Sequence, residues 1–490
     1  MNADEERAWV TYLGRMNPWW RGARLEGVPA FKRRDYFVVE KALRAADNKA
    51  VVVTGVRQVG KTTLLRQLIL GLLDSGVAPE RIMYIDFEGV GVELLSGNPL
   101  VEALEAYQKH VLKKDARAGN EEIYVFLDEA HRAGDWARVL KIWVDAASKA
   151  RFVVSGSSRQ ELFRASSETL PGRHTMHALV PLKFLETVRL KLFTKNPADP
   201  RLEKLRTISR ELREALAAGI QGDSAEVIFT AFQRAGVSLA LDQLELEAAL
   251  ADYLLKGGYP AVVRQDDLQE CARLLDGYAR DILAKDASSA FSVRNVEAMG
   301  KLMRYLARIS GQKVAWNNAL AVVGLADQRT LKAYVGYLAH LLVISLAEFY
   351  SPSPEAGMRK NPKIYVNDPG LRNFLASELV PELAAGNAGR LAETTVFDHC
   401  IRLAFNLVGQ VPHLSYWENR YEVDVILPVR GKIVPLEVKY SSAVKASELK
   451  GMDAFRKQYG SKLGIVVTKN ELALRNGIVF IPCWLFLLAA

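Results

Sequence analysis

Residues Val51 to Ile69 read VVVTGVRQVGKTTLLRQLI, and no other stretch restricts the fold of this chain so tightly. Three consecutive valines predict a buried strand. It stops at Gly55, and Gly60-Lys61-Thr62 then opens a run with apolar residues at helical spacing (Leu64, Leu65, Leu68, Ile69). Strand, G-x-x-x-x-G-K-T loop and helix, in that order, are the context in which this motif binds phosphate. Glycines at 55 and 60 let the backbone take φ > 0 and approach a ligand closely. The N–H groups of Gly55, Val56, Arg57, Gln58, Val59, Gly60, Lys61, Thr62 and Thr63 present positive partial charge to phosphate oxygens. The Lys61 ammonium reaches the β- and γ-phosphates, and the Thr62 hydroxyl ligates Mg²⁺. The stretch is read as an ATP or GTP site.

Further signals follow in chain order. Arg81 to Phe87 is a second strand with Asp86 and Glu88 at its carboxyl end, where ligands gather in parallel α/β sheets. IYVFLDEAH, Ile123 to His131, is an apolar strand ending in Asp128-Glu129. Asp128 is expected to hold Mg²⁺ through water, and Glu129 to act as general base on the attacking water. A fourth strand, Arg151 to Val154, runs into Ser155-Gly156-Ser157-Ser158, where Ser157 or Ser155 is placed to sense the γ-phosphate. No glycine stands two residues after Ser157 or Ser158, which disfavours a serine hydrolase. Arg173, before the apolar run Leu179 to Leu185, is a candidate charge-sensing arginine. The tryptophans of NPWW (Asn17 to Trp20) suit either a base stack or a sheet edge.

These motifs together, with GVRQVGKTTLL, FLDEAHRAGDW, SGSS, LPGR (Leu170 to Arg173) and PLKFLE (Pro181 to Glu186), resemble the archaeal and bacterial AAA+/STAND-type P-loop ATPases. Nearly the whole chain takes part in the resemblance. It implies an ASCE-type parallel sheet with ATP and Mg²⁺ bound by Lys61, Thr62, Asp128 and Glu129. Val56 stands where that family commonly has proline, a position at which backbone N–H groups do the binding.

With 490 residues the chain exceeds a single core. The reading divides it into an N-terminal helical segment (1–48), a P-loop ATPase core (49–190), a helical lid (191–260), a winged-helix domain (261–385) and a PD-(D/E)xK-like α/β domain (386–490). Residues 191–250 are charged and Ala/Leu-rich, as a lid or an inserted helical hairpin would be. Gln312 to Val323 and Asp327 to Leu342 are two helices followed by β-like stretches (Val343 to Tyr350, Lys363 to Val366), the pattern of a winged helix. Residues 301–350 hold six basic and two acidic side chains, so DNA contact and mere packing both stay open.

In the last hundred residues, Glu393 lies on a helix, Asp424 on a strand (YEVDVIL), and Glu437 and Lys439 on the next strand (IVPLEVKY). Residues i and i+2 on a strand share a face, so Glu437 and Lys439 point together and a hairpin brings Asp424 beside them. The set D-x(12)-E-x-K is similar to the PD-(D/E)xK nuclease core. There, carboxylates bind Mg²⁺ and the lysine assists the nucleophile. A degenerate site kept for binding is the other reading. Between Val429 and Arg475 ten Lys/Arg face four Asp/Glu.

The balance of 65 basic to 56 acidic residues permits an acidic partner without requiring one. Cys271, Cys400 and Cys483 form neither a disulfide framework nor a metal cluster, which suits a reducing cytoplasm. The acidic N-terminus does not read as a signal peptide. Ile478 to Ala490, the longest apolar run, is too short to cross a bilayer and is expected to be the last buried strand. The expected function is that of an ATPase whose nucleotide state controls the winged-helix and nuclease-like modules on DNA, with self-association open and no membrane partner. A signalling or remodelling switch with an inactive nuclease-like domain is the alternative.

Overall fold

The valine run sits inside a five-stranded sheet. In the computed structural model, which describes residues 2–45, 49–91, 97–114, 121–146, 149–156, 166, 168–287, 293, 295–353, 355, 357, 359–409 and 413–490, the chain forms two compact units, Met1–Val180 and Pro181–Ala490.

The first unit contains helices α1 (Ala3–Met16) and α2 (Arg34–Leu43), then strand β1 (Ala50–Gly55) and helix α3 (Lys61–Asp74). There follow β2 (Ile82–Asp86), α4 (Pro99–Tyr107), β3 (Ile123–Asp128), α5 (Trp136–Asp145), β4 (Ala150–Gly156) and β5 (His174–Leu179). The sheet order is β2-β3-β4-β1-β5, every pairing parallel. Every residue of β1 and β3 is buried, as strands covered on both faces must be. Val52, Ile85, Val125 and Val154 pack on one face with Trp9, Leu104 and Trp143 from α1, α4 and α5. Because the strands run together, all their carboxyl ends, and hence the loops after β1 and β3, open on one edge of the sheet.

β2 is an edge strand of this sheet, and NPWW covers it. The Trp19 and Trp20 indole N–H groups donate to Ile82 O at 3.0 and 2.8 Å. Asn17 donates to Tyr84 O and accepts from Tyr84 N. Asn17 and the two tryptophans together therefore satisfy backbone groups of β2 that would otherwise invite another strand.

The second unit begins with α6 (Phe184–Lys195), α7 (Arg201–Gln221), α8 (Ala225–Ser238), α9 (Gln243–Lys256) and α10 (Leu268–Asp281). Next come α11 (Val296–Arg308), β6 (Gln312–Lys313), α12 (Trp316–Val323), α13 (Gln328–His340), β7 (Ile344–Phe349), β8 (Lys363–Val366) and α14 (Pro369–Ala376). The chain ends with α15 (Ala388–Val408), β9 (Ser415–Glu418), β10 (Glu422–Val429), β11 (Lys432–Lys439), α16 (Lys450–Tyr459), β12 (Gly464–Thr468), β13 (Ala473–Arg475), β14 (Ile478–Pro482) and α17 (Cys483–Leu488). Its sheet has nine strands in the order β13-β14-β12-β11-β10-β9-β7-β8-β6.

Two departures from the sequence expectation stand out. Gln312-Lys313 is a short strand paired with β8, where a helix was expected from Gln312. Cys483–Leu488 is a buried helix after β14, where the expected strand ran on to Ala490. A short apolar run does not by itself separate a buried helix from a buried strand. Residues 191–260, expected as a lid, bury Leu205, Leu212, Ile228, Phe232 and Leu250 in the same core as Val425, Leu436 and Ile465 of the second sheet. On that sheet's other face, Met452 of α16 packs on Val466 and Phe480, and Phe455 packs on Trp417 and Ile426. Among the described residues no helix is long and apolar enough to cross a membrane.

Candidate functional site

The loop after β1 wraps its own lysine. Lys61 is buried at the first position of α3, and its Nζ donates to Gly55 O (2.9 Å) and Val56 O (3.2 Å). The same Nζ lies 4.0 Å from Glu129 Oε1. Gly60 has φ 96° and Gln58 φ 64°, so the loop curls through left-handed backbone that favours glycine. At Gly55 the requirement is different. A Cβ there would lie 2.1 Å from Leu179 O of β5, so glycine is demanded by the neighbouring strand.

Asp128 ends β3 and is almost fully buried. One carboxylate oxygen accepts from Tyr84 OH at 3.0 Å, and the other accepts from Ser155 Oγ at the tip of β4. Because β4 lies between β3 and β1, Ser155 stands between the acidic strand end and the phosphate loop. Glu129 follows in left-handed backbone (φ 52°), a costly conformation for a side-chain residue and one concentrated at functional sites. Its carboxylate is 3.4 Å from His131 Nδ1. Asp86, at the end of β2 in register with Asp128, has its pKa raised by burial and by the Asp128 charge. Glu88 pairs with Arg57 (3.8 Å) and Arg132 (3.5 Å). Thr62, in the first turn of α3, and Asp128 supply the hard oxygens that Mg²⁺ takes, so the residues present fit that ion.

A second constellation lies in the C-terminal unit. Val438 N donates to Asp424 Oδ2 at 2.9 Å, which locks β10 and β11 in the register that puts Asp424 beside Glu437. Lys439 Nζ is 3.1 Å from Glu437 Oε2, so the two side chains that share a face of β11 are paired. Burial and the Asp424 charge push Glu437 up to about 7 against the pull of Lys439. On α15, Glu393 is pushed up to about 7 by burial and by Asp424, against the opposing Lys363.

Lys363 is what sequence reasoning missed. Its ammonium lies 3.2 Å from Glu393 Oε1 and 3.5 Å from Asp424 Oδ1, and it also pairs with Glu422. Burial alone would lower its pKa, but Asp424, Glu393 and Glu422 together raise it above the usual lysine range. Tyr365, on the same face of β8, donates to Glu393 Oε1 at 3.0 Å.

Residues 47–188 match the family model described as an AAA domain. The chain carries an AAA-type P-loop ATPase domain. Residues 247–381 and 388–486 match two families described as domains of unknown function, DUF8612 and DUF4143. Similar proteins include an uncharacterized protein of Haemophilus influenzae, 22% identical over 89% of this chain and 93% of its own length. One of Methanocaldococcus jannaschii is 24% identical over 93% of this chain and 89% of its own. One of Mycobacterium tuberculosis is 27% identical over 83% and 74%. Among solved structures, the Walker-type ATPase of Pyrococcus abyssi aligns with a TM-score of 0.41 at 16% identity, covering 72% of this chain and 97% of that one. The Aeropyrum pernix ORC2 protein aligns with a TM-score of 0.35 at 12% identity, covering 75% and 98%.

Within the AAA domain, two of the sequence candidates need comment. Arg173 immediately precedes β5, and its O accepts from Ala50 N at the start of β1. It therefore lies at the amino-terminal edge of the parallel sheet, a strand's length from the phosphate loop, and its guanidinium pairs with Asp145. Arg173 is not part of the site its chain builds. Ser157 lies outside the described residues, and Ser155 holds the position beside Asp128. A residue not anticipated is Arg33, in the basic patch before α2. It is buried, and it donates to Val59 O in the phosphate loop (3.2 Å) and to Val180 O after β5 (2.9 Å).

The PLKFLE segment, which opens the second unit, pairs its charges within that unit. Lys183 pairs with Asp398, and Glu186 accepts from Arg402 at 2.7 Å. Phe184 N donates to His399 Nε2 at 3.1 Å while His399 Nδ1 faces Thr395 O, which fixes a neutral imidazole.

Proposed function

We propose that this protein hydrolyses ATP in its AAA domain and uses the nucleotide state to control a DNA-contacting second unit. The observation that carries the ATPase part is the meeting of Lys61, Asp128, Glu129 and Ser155 at the carboxyl edge of one parallel sheet. Lys61 would leave its carbonyl partners for the β- and γ-phosphates, and the loop N–H groups would hold the remaining oxygens. Glu129 orients and deprotonates the attacking water. Asp128, fixed by Tyr84 and Ser155, and Thr62 would hold Mg²⁺, which supplies charge neutralisation on the transferring phosphoryl group. Calorimetry with Mg·ATP tests this. Wild type is expected to give a saturable heat and Lys61→Ala none; equal binding by both would overturn the assignment.

For the second unit, three helices and an antiparallel hairpin (α11, α12, α13, β7, β8) fit a winged helix. Arg329 and Lys332 are exposed at the start of α13, the helix that would enter a major groove, and Lys301, Arg304 and Arg308 are exposed on α11. Retention on duplex DNA is expected to fall with salt and to weaken in Arg329→Ala/Lys332→Ala. Retention that the double variant leaves unchanged would refute this face. What supports a role on DNA without cutting is Lys363, an ammonium set among the carboxylates of the PD-(D/E)xK-like centre. Self-association and a cytoplasmic setting complete the proposal.

A further inference from the structure

A PD-(D/E)xK-like centre implies a divalent cation shared by its carboxylates, and the residues present here do not fit one. Glu393 on the helix and Asp424 on the strand are two of the carboxylates of this centre. Both face the Lys363 ammonium, at 3.2 and 3.5 Å, with Glu422 as a third partner. The Lys363 side chain is only 4% exposed, so its charge is held by these carboxylates with little help from water. Tyr365 holds the same Glu393 oxygen from two residues along β8, turning that carboxylate toward the strand. Among the described residues no group of three or more His, Cys, Asp and Glu is arranged to hold a metal ion. Lys363 already occupies the oxygens of Glu393 and Asp424 that a divalent ion would need, so the two cations compete for one set of donors.

We infer that Lys363 is the resident cation of this carboxylate cluster, and that a divalent cation binds there only when that charge is removed. The oxygens of Glu393 and Asp424 are then released as hard donors. Glu437, buried beside them with Lys439 at 3.1 Å, supplies the next ligand. The lysine comes from β8, which the sequence assigns to a different module from the three carboxylates, so the hairpin itself keeps the centre metal-free. This rests on the non-cutting reading of the second unit and is independent of the ATPase assignment.

The test is a Mn²⁺ titration of the nucleotide-free full chain, with free ion read by electron paramagnetic resonance. Lys363→Met is expected to bind one Mn²⁺ at least about tenfold more tightly than wild type, and Lys363→Met/Asp424→Asn to lose it. Urea unfolding followed by tryptophan fluorescence, with Trp417 and Trp484 buried in the second unit, reports that the variant is folded. Lys363→Gln, which keeps a donor for Glu393 and drops the charge, replaces the methionine variant if that one is unstable. Wild-type Mn²⁺ binding that disappears in Asp424→Asn overturns the inference, and so does a folded Lys363 variant that binds none. DNA cleavage is followed in parallel. Asp424-dependent cutting by wild type sinks the non-cutting reading itself, whereas Asp424-dependent binding without cutting sinks only the role given to Lys363.

Discussion

Glu129→Gln is expected to bind Mg·ATP as wild type does and to turn it over about 10²- to 10⁴-fold more slowly, the usual worth of a positioned general base. The amide has the carboxylate's shape but does not take a proton from water. Shape matters here because the residue sits in left-handed backbone directly after β3 and its carboxylate lies 4.0 Å from Lys61 Nζ. A conservative substitution leaves that geometry and the Asp128 contacts with Tyr84 and Ser155 in place. Steady-state phosphate release read beside calorimetry separates the two effects. Undiminished turnover would remove Glu129 from the chemistry, and lost binding would make its role structural.

Lys183→Met should destabilise the second unit by about 3–5 kcal/mol, the cost of leaving one member of a buried ion pair without its partner. Burial disfavours the Lys183 ammonium and the adjacent Asp398 carboxylate opposes that effect. Asp398 is itself only 6% exposed, so the variant strands a charge with little access to water. The double variant Lys183→Met/Asp398→Leu is expected to recover much of the loss, because two apolar groups need no compensation. Urea unfolding followed by tryptophan fluorescence measures both. If the single and double variants unfold at the same urea concentration, the pair is not the reason this segment is anchored.

The phosphate loop was legible because its chemistry is contiguous. Gly60, Lys61 and Thr62 carry their own strand and helix with them, and Asp128-Glu129 sits at the end of an apolar run that reads as a strand without help. Glu393, Asp424, Glu437 and Lys439 were legible for a related reason, since a hairpin fixes the spacing of the last three. Arg33 and Lys363 were not. Their partners stand at 59 and 180, and at 393, 422 and 424, contacts made by the tertiary fold with no local pattern to announce them. Arg173 was misplaced because an arginine before an apolar strand looks the same at either end of a sheet, and only strand polarity decides which end holds the ligand. The run after Ile478 misled because uniform apolarity carries no period.

Glu348 and Phe349 of β7 run parallel to Ser415 and Tyr416 of β9, so one sheet passes through both family-matched segments of the second unit. For anyone dissecting the protein this means that a cut near residue 386 does not follow a natural seam. A fragment starting there would present β9 as a bare strand with unsatisfied amides, a template for stacking with its own copies. A fragment starting at Pro181 retains β7 and β8 and is the one expected to stay monodisperse in size-exclusion chromatography. A monodisperse 386–490 fragment would mean that the hairpin adds nothing the C-terminal strands need.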